Sequence, residues 1–345
     1  MADFYKPFFI AKWIFIGHNI SILGDFSYVA SKKVVMKSSR LTEIVLLTIC
    51  RGVLLLFSLL PLRFGIALAE GVAWLYFILD RKHRRIARIN LGIAFPELSA
   101  PEKTRLARKS FQNMAEMLVL VSRFPKLVNA RRLERLVRYS GLDEYLRCKA
   151  AGRPVLMLTA HLGCWELLSF AHAVFQRPLH FLYRPLDFTG MDDLLMKYRT
   201  LSGNKPIPKK EALRKVLRAL GQGEDVGILI DQNVQASEGV FVDFFSRKAC
   251  WTFGIAAMAM RGNAVVIPAF LVPDPARRGG YLIRSYPSIP IQKTEDYEAD
   301  ILENTTRFAR AIETAIREYP DRWLWAHRRW KTRPPDDPAD IYADV

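Results

Sequence analysis

The stretch that decides the fold is PVLMLTAHLGCWELLSF, residues 154–170. Val155–Thr159 is an uninterrupted apolar run of strand length, which predicts a buried β-strand. From Trp165 onward the pattern is that of a helix. Gly163 stands between the two, where a sharp bend is easy. The segment therefore predicts a strand, a turn and a helix in immediate succession.

Two ionisable residues, His161 and Glu166, lie around this turn, five positions apart. On one continuous helix they would differ by about 140° in direction and could not face one site. His161 is therefore expected before the helix, at a strand's carboxyl end, where open α/β sheets carry their chemistry. Glu166 falls in the first helical turn, where the helix dipole favours a carboxylate, and can reach back to hold the imidazole.

An imidazole with a carboxylate behind it can take a proton from a hydroxyl group near neutral pH. The alternative is a buried histidine satisfied by a backbone carbonyl beside an ordinary first-turn carboxylate. A two-residue motif does not decide between these readings of His161 and Glu166.

Beyond residue 153, short apolar runs alternate with helical patterns. The predicted strands are Val155–Thr159, Leu179–Tyr183, Val226–Ile230 and Ala264–Leu271, with Tyr281–Tyr286 as an edge strand. The predicted helices are Trp165–Phe175, Met191–Leu201, Glu211–Leu220, Thr252–Arg261 and Tyr297–Glu318. This alternation predicts an α/β sandwich, with a largely parallel central sheet flanked by helices.

Polar residues follow two further predicted strands. Arg184 closes the second strand, and Asp231 and Gln232 end the third. Carboxyl ends of parallel strands share one edge, so these residues and His161 are expected to line a common cleft. A guanidinium there could grip a phosphate or carboxylate, although Asp231 taken alone fits a turn residue or helix cap.

An aromatic patch lies close to this edge in the sequence. It could hold an acyl chain, or it could equally belong to a helix–sheet core. Its members are Phe241, Phe244, Phe245, Trp251 and Phe253.

The composition is basic and apolar at once. The net charge is +17, half of the residues are hydrophobic, and the mean hydropathy is +0.05. The charge points to a polyanionic partner, and the hydropathy favours a membrane surface over nucleic acid. The four cysteines are scattered, which argues against a zinc ribbon or a disulfide framework and fits a reducing compartment.

Several enzyme classes lack their motifs. No G-x-S-x-G elbow, dinucleotide fingerprint or phosphate loop occurs. A metal site would need a third ligand beside His161 and Glu166, with His172 and His180 as candidates by nearness only. We therefore expect neither a metal nor a cofactor.

The amino-terminal region predicts membrane attachment. Residues 1–40 form an extension of unclear role, and residues 41–80 hold two apolar segments. Ile44–Leu60 is long enough to cross or deeply enter a bilayer despite Arg51, whereas Leu62–Leu79 resembles an interfacial or docked helix.

The basic run Asp80–Arg88 follows these segments directly. By the positive-inside rule it puts residues 81–335 in the cytoplasm as one catalytic domain, before a tail at 336–345. A solvated helix face would have the same composition. Near the carboxyl end, WLWAHRRWKTRP mixes tryptophan with arginine, which suits a membrane interface, a phosphorylated glycolipid or single-stranded nucleic acid.

Taken together, the segments resemble the bacterial lipid A late acyltransferases, the lauroyl and myristoyl transferase family. The resemblance runs from Ile44 to Pro335 and rests on six blocks in the family's order. They are RRIARINLGIAFPELS, AHLGCWE, LYRPLDF, SGNK, DQNVQASEGVFVDFF followed by AAMAMRGNAVVIPAF, and WLWAHRRWKTRP.

The resemblance implies that His161 is the general base and that Glu166 orients it. It implies that Arg184 binds an acceptor phosphate or stabilises the oxyanion. Many members have asparagine where Cys164 stands, so that amide's contacts are expected to be missing. Further substrate-cleft residues implied by position are Asn204, Lys205, Asp231 and Gln232.

The implied reaction moves an acyl chain from an acyl-carrier-protein thioester to a lipid A precursor, at the cytoplasmic side of the inner membrane. One alternative keeps the chemistry but uses a lysophospholipid, an ornithine lipid or another glycolipid as acceptor. A second alternative is a non-catalytic basic protein that binds membrane or nucleic acid. The expected partners are the carrier protein, the lipid acceptor and the membrane, without nucleic acid.

Overall fold

A computed structural model describes residues 40–186, 188–209 and 212–345. The extension predicted at residues 1–40 lies almost entirely outside the described residues. In chain order the helices are α1 Arg40–Leu59, α2 Leu62–Leu79, α3 Arg81–Ala94, α4 Ala100–Val121, α5 Phe124–Leu127, α6 Ala130–Leu133, α7 Leu142–Ala150, α8 Trp165–Phe175, α9 Thr189–Thr200, α10 Ala212–Gly221, α11 Gly254–Gly262 and α12 Tyr297–Glu318. The strands are β1 Val137–Ser140, β2 Val155–Thr159, β3 Leu179–Tyr183, β4 Lys205–Pro208, β5 Asp225–Leu229, β6 Gly239–Phe244, β7 Arg247–Thr252, β8 Val265–Pro273 and β9 Tyr281–Ser285.

Seven strands form one sheet in the order β1-β9-β8-β2-β5-β3-β4. The five strands β8, β2, β5, β3 and β4 run parallel. Strand β9 pairs antiparallel with β8, and β1 runs parallel to β9. The prediction of a largely parallel α/β fold is confirmed.

Strand β2 lies at the centre of this sheet. All five of its residues are buried, as an unbroken apolar run between two helical layers requires. It pairs with β5 through Thr159 and Leu229, so the residues that follow these two strands emerge side by side. The sheet thus brings two sequence-distant segments to one edge.

The two edges of the sheet differ from the sequence expectation. The predicted edge strand 281–286 is β9, but β1 pairs on its outer side and forms the edge. Strand β4, with the sequence KPIP, was not predicted because proline lacks the N–H that a sheet uses. An edge position tolerates it, and β4 does lie at the edge.

Helices α1 and α2 precede the sheet. Among the described residues, one helix is long and apolar enough to cross a membrane by length and composition, namely Leu62–Leu79. Of the two apolar segments, this is the one predicted to lie at an interface. Its inner face packs against α4, where Gly65 leaves room for Val119.

Candidate functional site

His161 lies just beyond the end of β2, as predicted. The chain turns at Gly163, where φ is +65°. A β-carbon there would stand 1.8 Å from the carbonyl oxygen of Leu271, so both the backbone angle and the space require glycine.

The carboxyl-terminal segment fixes the loop that carries His161. Gly163 N–H donates to the Arg322 carbonyl at 3.0 Å, and Leu324 N–H donates to the His161 carbonyl at 3.0 Å. Asn113 of α4 donates to the carbonyls of both Gly163 and Arg322. The loop is therefore held from two sides, by backbone hydrogen bonds to the carboxyl-terminal segment and by the side chain of Asn113.

Asp231 follows β5 and binds the imidazole directly. Its Oδ1 lies 2.8 Å from His161 Nδ1, and its Oδ2 accepts the His161 backbone N–H at 2.9 Å. The same Oδ2 accepts the indole N–H of Trp323 at 2.7 Å. His161 and Asp231 are only 5% and 2% exposed, so solvent weakens these bonds little.

The ionised form of Asp231 is favoured in this environment. Burial alone would raise the pKa of the carboxyl group. The charge and hydrogen bonds of His161, together with the Trp323 N–H, outweigh burial and hold the pKa below its usual value. The aspartate is thus a carboxylate at neutral pH and takes the proton of His161 Nδ1–H as a hydrogen bond.

Gln232 lies at the other ring nitrogen. Its Nε2 is 3.1 Å from His161 Nε2. Because Nδ1 carries the proton shared with Asp231, Nε2 is the acceptor and the glutamine amide the donor. This tautomer leaves a lone pair on Nε2, which is what a general base needs.

Glu166 lies at the start of α8 and forms a buried ion pair with Arg199 of α9. Arg199 Nε donates to Glu166 Oε2 at 2.9 Å, and a second guanidinium nitrogen contacts Oε1. Both side chains are buried. The neighbouring Trp165 packs edge-on against the His161 ring, with centroids 4.7 Å apart.

The predicted site residues fall at two opposite edges of the sheet. His161, Asp231 and Gln232 come together at the carboxyl edge, and Arg184 follows β3 at this same edge with an exposed side chain. Asn204 and Lys205 are not brought to His161, because they lie where β4 begins, at the amino edge.

Both amino-edge residues have local partners. Asn204 accepts the Leu179 N–H and donates to the Ser169 carbonyl. Lys205 pairs with Glu224. These contacts join the start of β4 to the starts of β3 and β5 and to the middle of α8.

The tryptophan-rich segment near the carboxyl end is part of the core. Trp323, Trp325, Trp330 and Arg329 are at most 1% exposed. The expectation that these tryptophans meet a membrane interface, a phosphorylated glycolipid or single-stranded nucleic acid is therefore wrong, because they pack against the site and the β6–β7 hairpin. The sequence alone did not reveal that this segment is buried, since a mixture of tryptophan and arginine occurs both in a protein core and on a binding surface.

The aromatic patch at residues 241–253 also belongs mainly to the core. Phe244, Phe245 and Trp251 are buried, whereas Phe253 is exposed. Arg329 lies over the Trp251 ring at 4.2 Å, so the buried cation packs on an aromatic face. Burial lowers the pKa of Arg329 to about 10, partly offset by the charge of Asp231.

Cys164 stands beside the site and is buried. Burial raises the pKa of its thiol well above the usual value, so it does not supply a thiolate at neutral pH. No group of three or more His, Cys, Asp or Glu side chains that could hold a metal ion occurs among the described residues.

Two hydrogen-bond partners of the site residues were not predicted from the sequence. Trp323 binds Asp231 across 92 positions of sequence, and Arg199 binds Glu166 across 33. Asp231 was predicted to line the cleft, but its bond to the imidazole was not. The signal available for Asp231 was its place after a buried strand next to β2, which brings it to His161.

Comparison with known proteins shows which family this chain is similar to. The family model described as "Bacterial lipid A biosynthesis acyltransferase" matches residues 33–332. The lipid A biosynthesis lauroyltransferase of Escherichia coli (strain K12) is 27% identical over 291 residues, covering 84% of this chain and 92% of that protein.

Two further relatives carry related names. The lipid A biosynthesis palmitoleoyltransferase of Escherichia coli (strain K12) is 27% identical, covering 74% of this chain and 80% of that protein. A lipid A biosynthesis acyltransferase of Haemophilus influenzae is 23% identical, covering 84% of this chain and 88% of that protein.

Proposed function

Because this chain belongs to the bacterial lipid A biosynthesis acyltransferase family, we propose that it transfers a fatty acyl chain from an acyl-carrier-protein thioester to a hydroxyl group of a lipid A precursor. The single observation that carries the mechanism is the His161 ring, bound through Nδ1 to a buried carboxylate and presenting Nε2 as the base. The family relationship itself identifies an enzyme that acylates a lipid.

The reaction needs a base, an oxyanion stabiliser and alignment, because a thioester is already activated. His161 Nε2 removes the proton from the acceptor hydroxyl as its oxygen attacks the thioester carbonyl. The imidazolium then protonates the departing thiolate. Asp231 stabilises the imidazolium and keeps the proton of the resting ring on Nδ1.

Gln232 marks where the acceptor hydroxyl binds. Its amide donates to Nε2 at 3.1 Å, so an incoming hydroxyl has to displace it. A displaced amide N–H remains next to the reacting carbon and serves as a donor to the oxyanion. Gln232 thus keeps the base desolvated before substrate arrives and helps the transition state afterwards.

Glu166 keeps an orienting role in the proposed mechanism because of where it lies. It lies one residue from Trp165, which packs on the imidazole, and its carboxylate is anchored by Arg199. We assign it to orienting the first turn of α8 behind His161. The direct bond to the ring nitrogen is assigned to Asp231.

Arg184 is the best candidate for binding the acceptor phosphate. It is exposed at the carboxyl edge, and its planar guanidinium suits two parallel hydrogen bonds to phosphate oxygens. Asn204 and Lys205, at the amino edge, are not assigned a contact with the reacting groups.

Charge and hydropathy support the proposed donor and location, which the family resemblance implies. An acyl-carrier protein is acidic, which suits a chain of net charge +17. Helices α1 and α2 expose apolar side chains toward solvent, which suits attachment to the inner membrane with the sheet on the cytoplasmic side.

The test is acyl transfer in vitro with purified protein, a panel of acyl-carrier-protein thioesters and defined lipid A precursors, read by mass spectrometry. Wild type is expected to add one acyl chain, and His161→Ala is expected to lose transfer while remaining folded, with a lower melting temperature because the bond to Asp231 is lost. Transfer by His161→Ala at the wild-type rate would refute the role of the base. Transfer only to lysophospholipid or ornithine lipid would refute the acceptor.

A further inference from the structure

A basic pocket lies away from His161, between the start of α3 and the start of α4. Its volume is about 560 Å³. Five of its eight lining residues are cations, and none is acidic. The lining residues are Arg81, Arg84, Arg85, Arg88, Ile89, Gly92, Ala100 and Lys103.

Small residues keep the pocket open. A β-carbon added at Gly92 would meet nothing within 4 Å, so free space adjoins this part of the helix. Ala100 contributes only a methyl group at the start of α4. The result is a concave, positively charged recess on the surface.

The charge of this recess is largely uncompensated. Arg81 and Arg88 have no acidic partner among the described residues, and Arg85 makes only an exposed contact with Asp344 at 3.5 Å, which contributes little. The nearby Asp80 is engaged by His83 and Tyr76 on the side of α2. An anion in the pocket would therefore meet guanidinium groups without a competing carboxylate.

The place of the pocket in the chain indicates what kind of anion it binds. Asp80 alone separates α3 from α2, the apolar helix of 18 residues. The outward face of α2 carries large apolar side chains up to its last residue. They are Phe64, Leu68, Val72, Trp74, Leu75, Ile78 and Leu79.

A phospholipid has apolar acyl chains next to a charged headgroup, and this surface likewise has the apolar face of α2 next to the basic pocket. Its acyl chains would lie along the outward face of α2, and its headgroup would then reach the helix end where the arginines begin. We propose that the basic pocket binds the phosphate of an anionic phospholipid headgroup and so fixes the orientation of the protein on the bilayer. This goes beyond acyl transfer, because the bound lipid is neither donor nor acceptor.

The continuity with α2 favours lipid over an acidic protein. A protein partner would need a broad surface of about 800 Å² on each side, whereas this recess is headgroup-sized and adjoins an apolar helix face. Arginine suits the site because its planar fork binds phosphate oxygens in pairs.

The test is flotation of the full-length protein with vesicles of phosphatidylcholine alone or with added phosphatidylglycerol, in the absence of both substrates. Wild type is expected to bind the anionic vesicles more tightly, and salt should reduce the difference. The double variant Arg81→Glu/Arg88→Glu is expected to lose at least roughly 25-fold in affinity for anionic vesicles, about fivefold for the positive charge of each arginine, and the added carboxylates increase this loss.

Two matched pairs control for folding and for general charge. Gly92→Glu puts a carboxylate beside the open space of the pocket and should weaken binding, whereas Gly92→Ala at the same open position should not. Arg310→Glu makes the same reversal on the exposed face of α12, away from the pocket, and should leave the lipid preference intact. The glycine pair keeps the test valid if the double variant does not fold.

Three outcomes would overturn the proposal. Wild type could bind neutral and anionic vesicles equally, or Gly92→Glu could bind anionic vesicles as Gly92→Ala does. Alternatively, the pocket variants could lose binding to purified acyl-carrier protein while keeping vesicle binding, which would assign the pocket to the donor. None of these depends on turnover, so His161→Ala should float like wild type whether or not the proposed function holds.

Discussion

Replacing Asp231 by asparagine tests the site most directly, because the change keeps the size of the side chain and alters one atom's role. Asp231 Oδ2 accepts two N–H groups, from the His161 backbone and Trp323, while Oδ1 faces His161 Nδ1. An asparagine can keep its oxygen on the first two donors. Its NH₂ group must then face Nδ1.

The imidazole has to change tautomer to meet that NH₂ group. Nδ1 becomes the acceptor and Nε2 carries the proton, so the base has no lone pair at the reacting position. An analogous exchange in a serine-protease triad costs roughly 10⁴-fold in kcat, and we expect a loss of about 10³-fold to 10⁴-fold for Asp231→Asn. Loss of a buried charge-assisted bond should also lower the free energy of unfolding by about 1.5–3 kcal/mol.

Asp225→Asn is the matched control, since Asp225 begins the strand that Asp231 follows. It is 1% exposed and accepts hydrogen bonds from Tyr145 and Lys149, each at 2.6 Å, at the opposite edge of the sheet. The control should lose comparable stability and keep its kcat. Single-turnover acyl transfer and denaturant unfolding of both variants give the two quantities.

The reasoning fails if Asp231→Asn retains kcat within a few-fold of wild type. It also fails if Asp231→Asn and Asp225→Asn lose activity equally in proportion to their unfolded fractions. Either result would mean that the bond to Nδ1 holds the fold and does not set the tautomer.

Three further changes follow from individual contacts. Glu166→Gln leaves the Arg199 charge buried and should lower the free energy of unfolding by about 3–5 kcal/mol, while kcat falls less than in Asp231→Asn. Adding Arg199→Met should recover most of the lost stability. A loss of kcat equal to that of Asp231→Asn would instead make Glu166 the partner of the imidazole ring. Burial lowers the pKa of His172 to about 4 and that of His327 to about 3, so below pH 6.5 the unfolded chain binds protons at these residues that the folded chain does not bind. His172 should therefore lower the stability by up to about 1.4 kcal/mol per pH unit as pH drops from 6.5 toward 4. His172→Leu should reduce the slope by this share, which an unchanged slope in pH-dependent urea unfolding would contradict. Gly163→Ala should lower the melting temperature sharply, because φ is +65° and a backbone oxygen occupies the place of the β-carbon. Gly152→Ala, at φ +66° with open space around the β-carbon, should cost only the backbone strain of about 1–2 kcal/mol. Equal melting temperatures of the two variants in a thermal scan would mean that the loop at Gly163 adapts.

The fold could be predicted from the sequence where an apolar run of strand length or a helical pattern was clear. Strands β2 and β3 and helices α8 and α12 begin and end at the predicted residues. The β6–β7 hairpin was missed because its turn uses Phe245 and Ser246 at positive φ. Phenylalanine is not a usual turn residue, and serine seldom adopts positive φ.

The site was predictable only as far as neighbouring strands determine it. His161, Asp231 and Gln232 were expected at one sheet edge because carboxyl ends of parallel strands meet there, and they do. The hydrogen bond from Trp323 could not be foreseen, since nothing local links a tryptophan near the carboxyl terminus to an aspartate 92 positions earlier. Asn204 and Lys205 came from block resemblance alone, which carries no information about which edge a residue occupies.

The pairing of residues 322–324 with the loop at residues 161–163 has a consequence for synthesis in the cell. The ribosome synthesises helices α1 and α2 before residues 322–324, which complete the surroundings of His161. In a nascent chain that ends between these segments, the imidazole lacks both the indole donor and the backbone bonds that hold it. We therefore expect chains truncated before residue 322 to be inactive even if the sheet has formed.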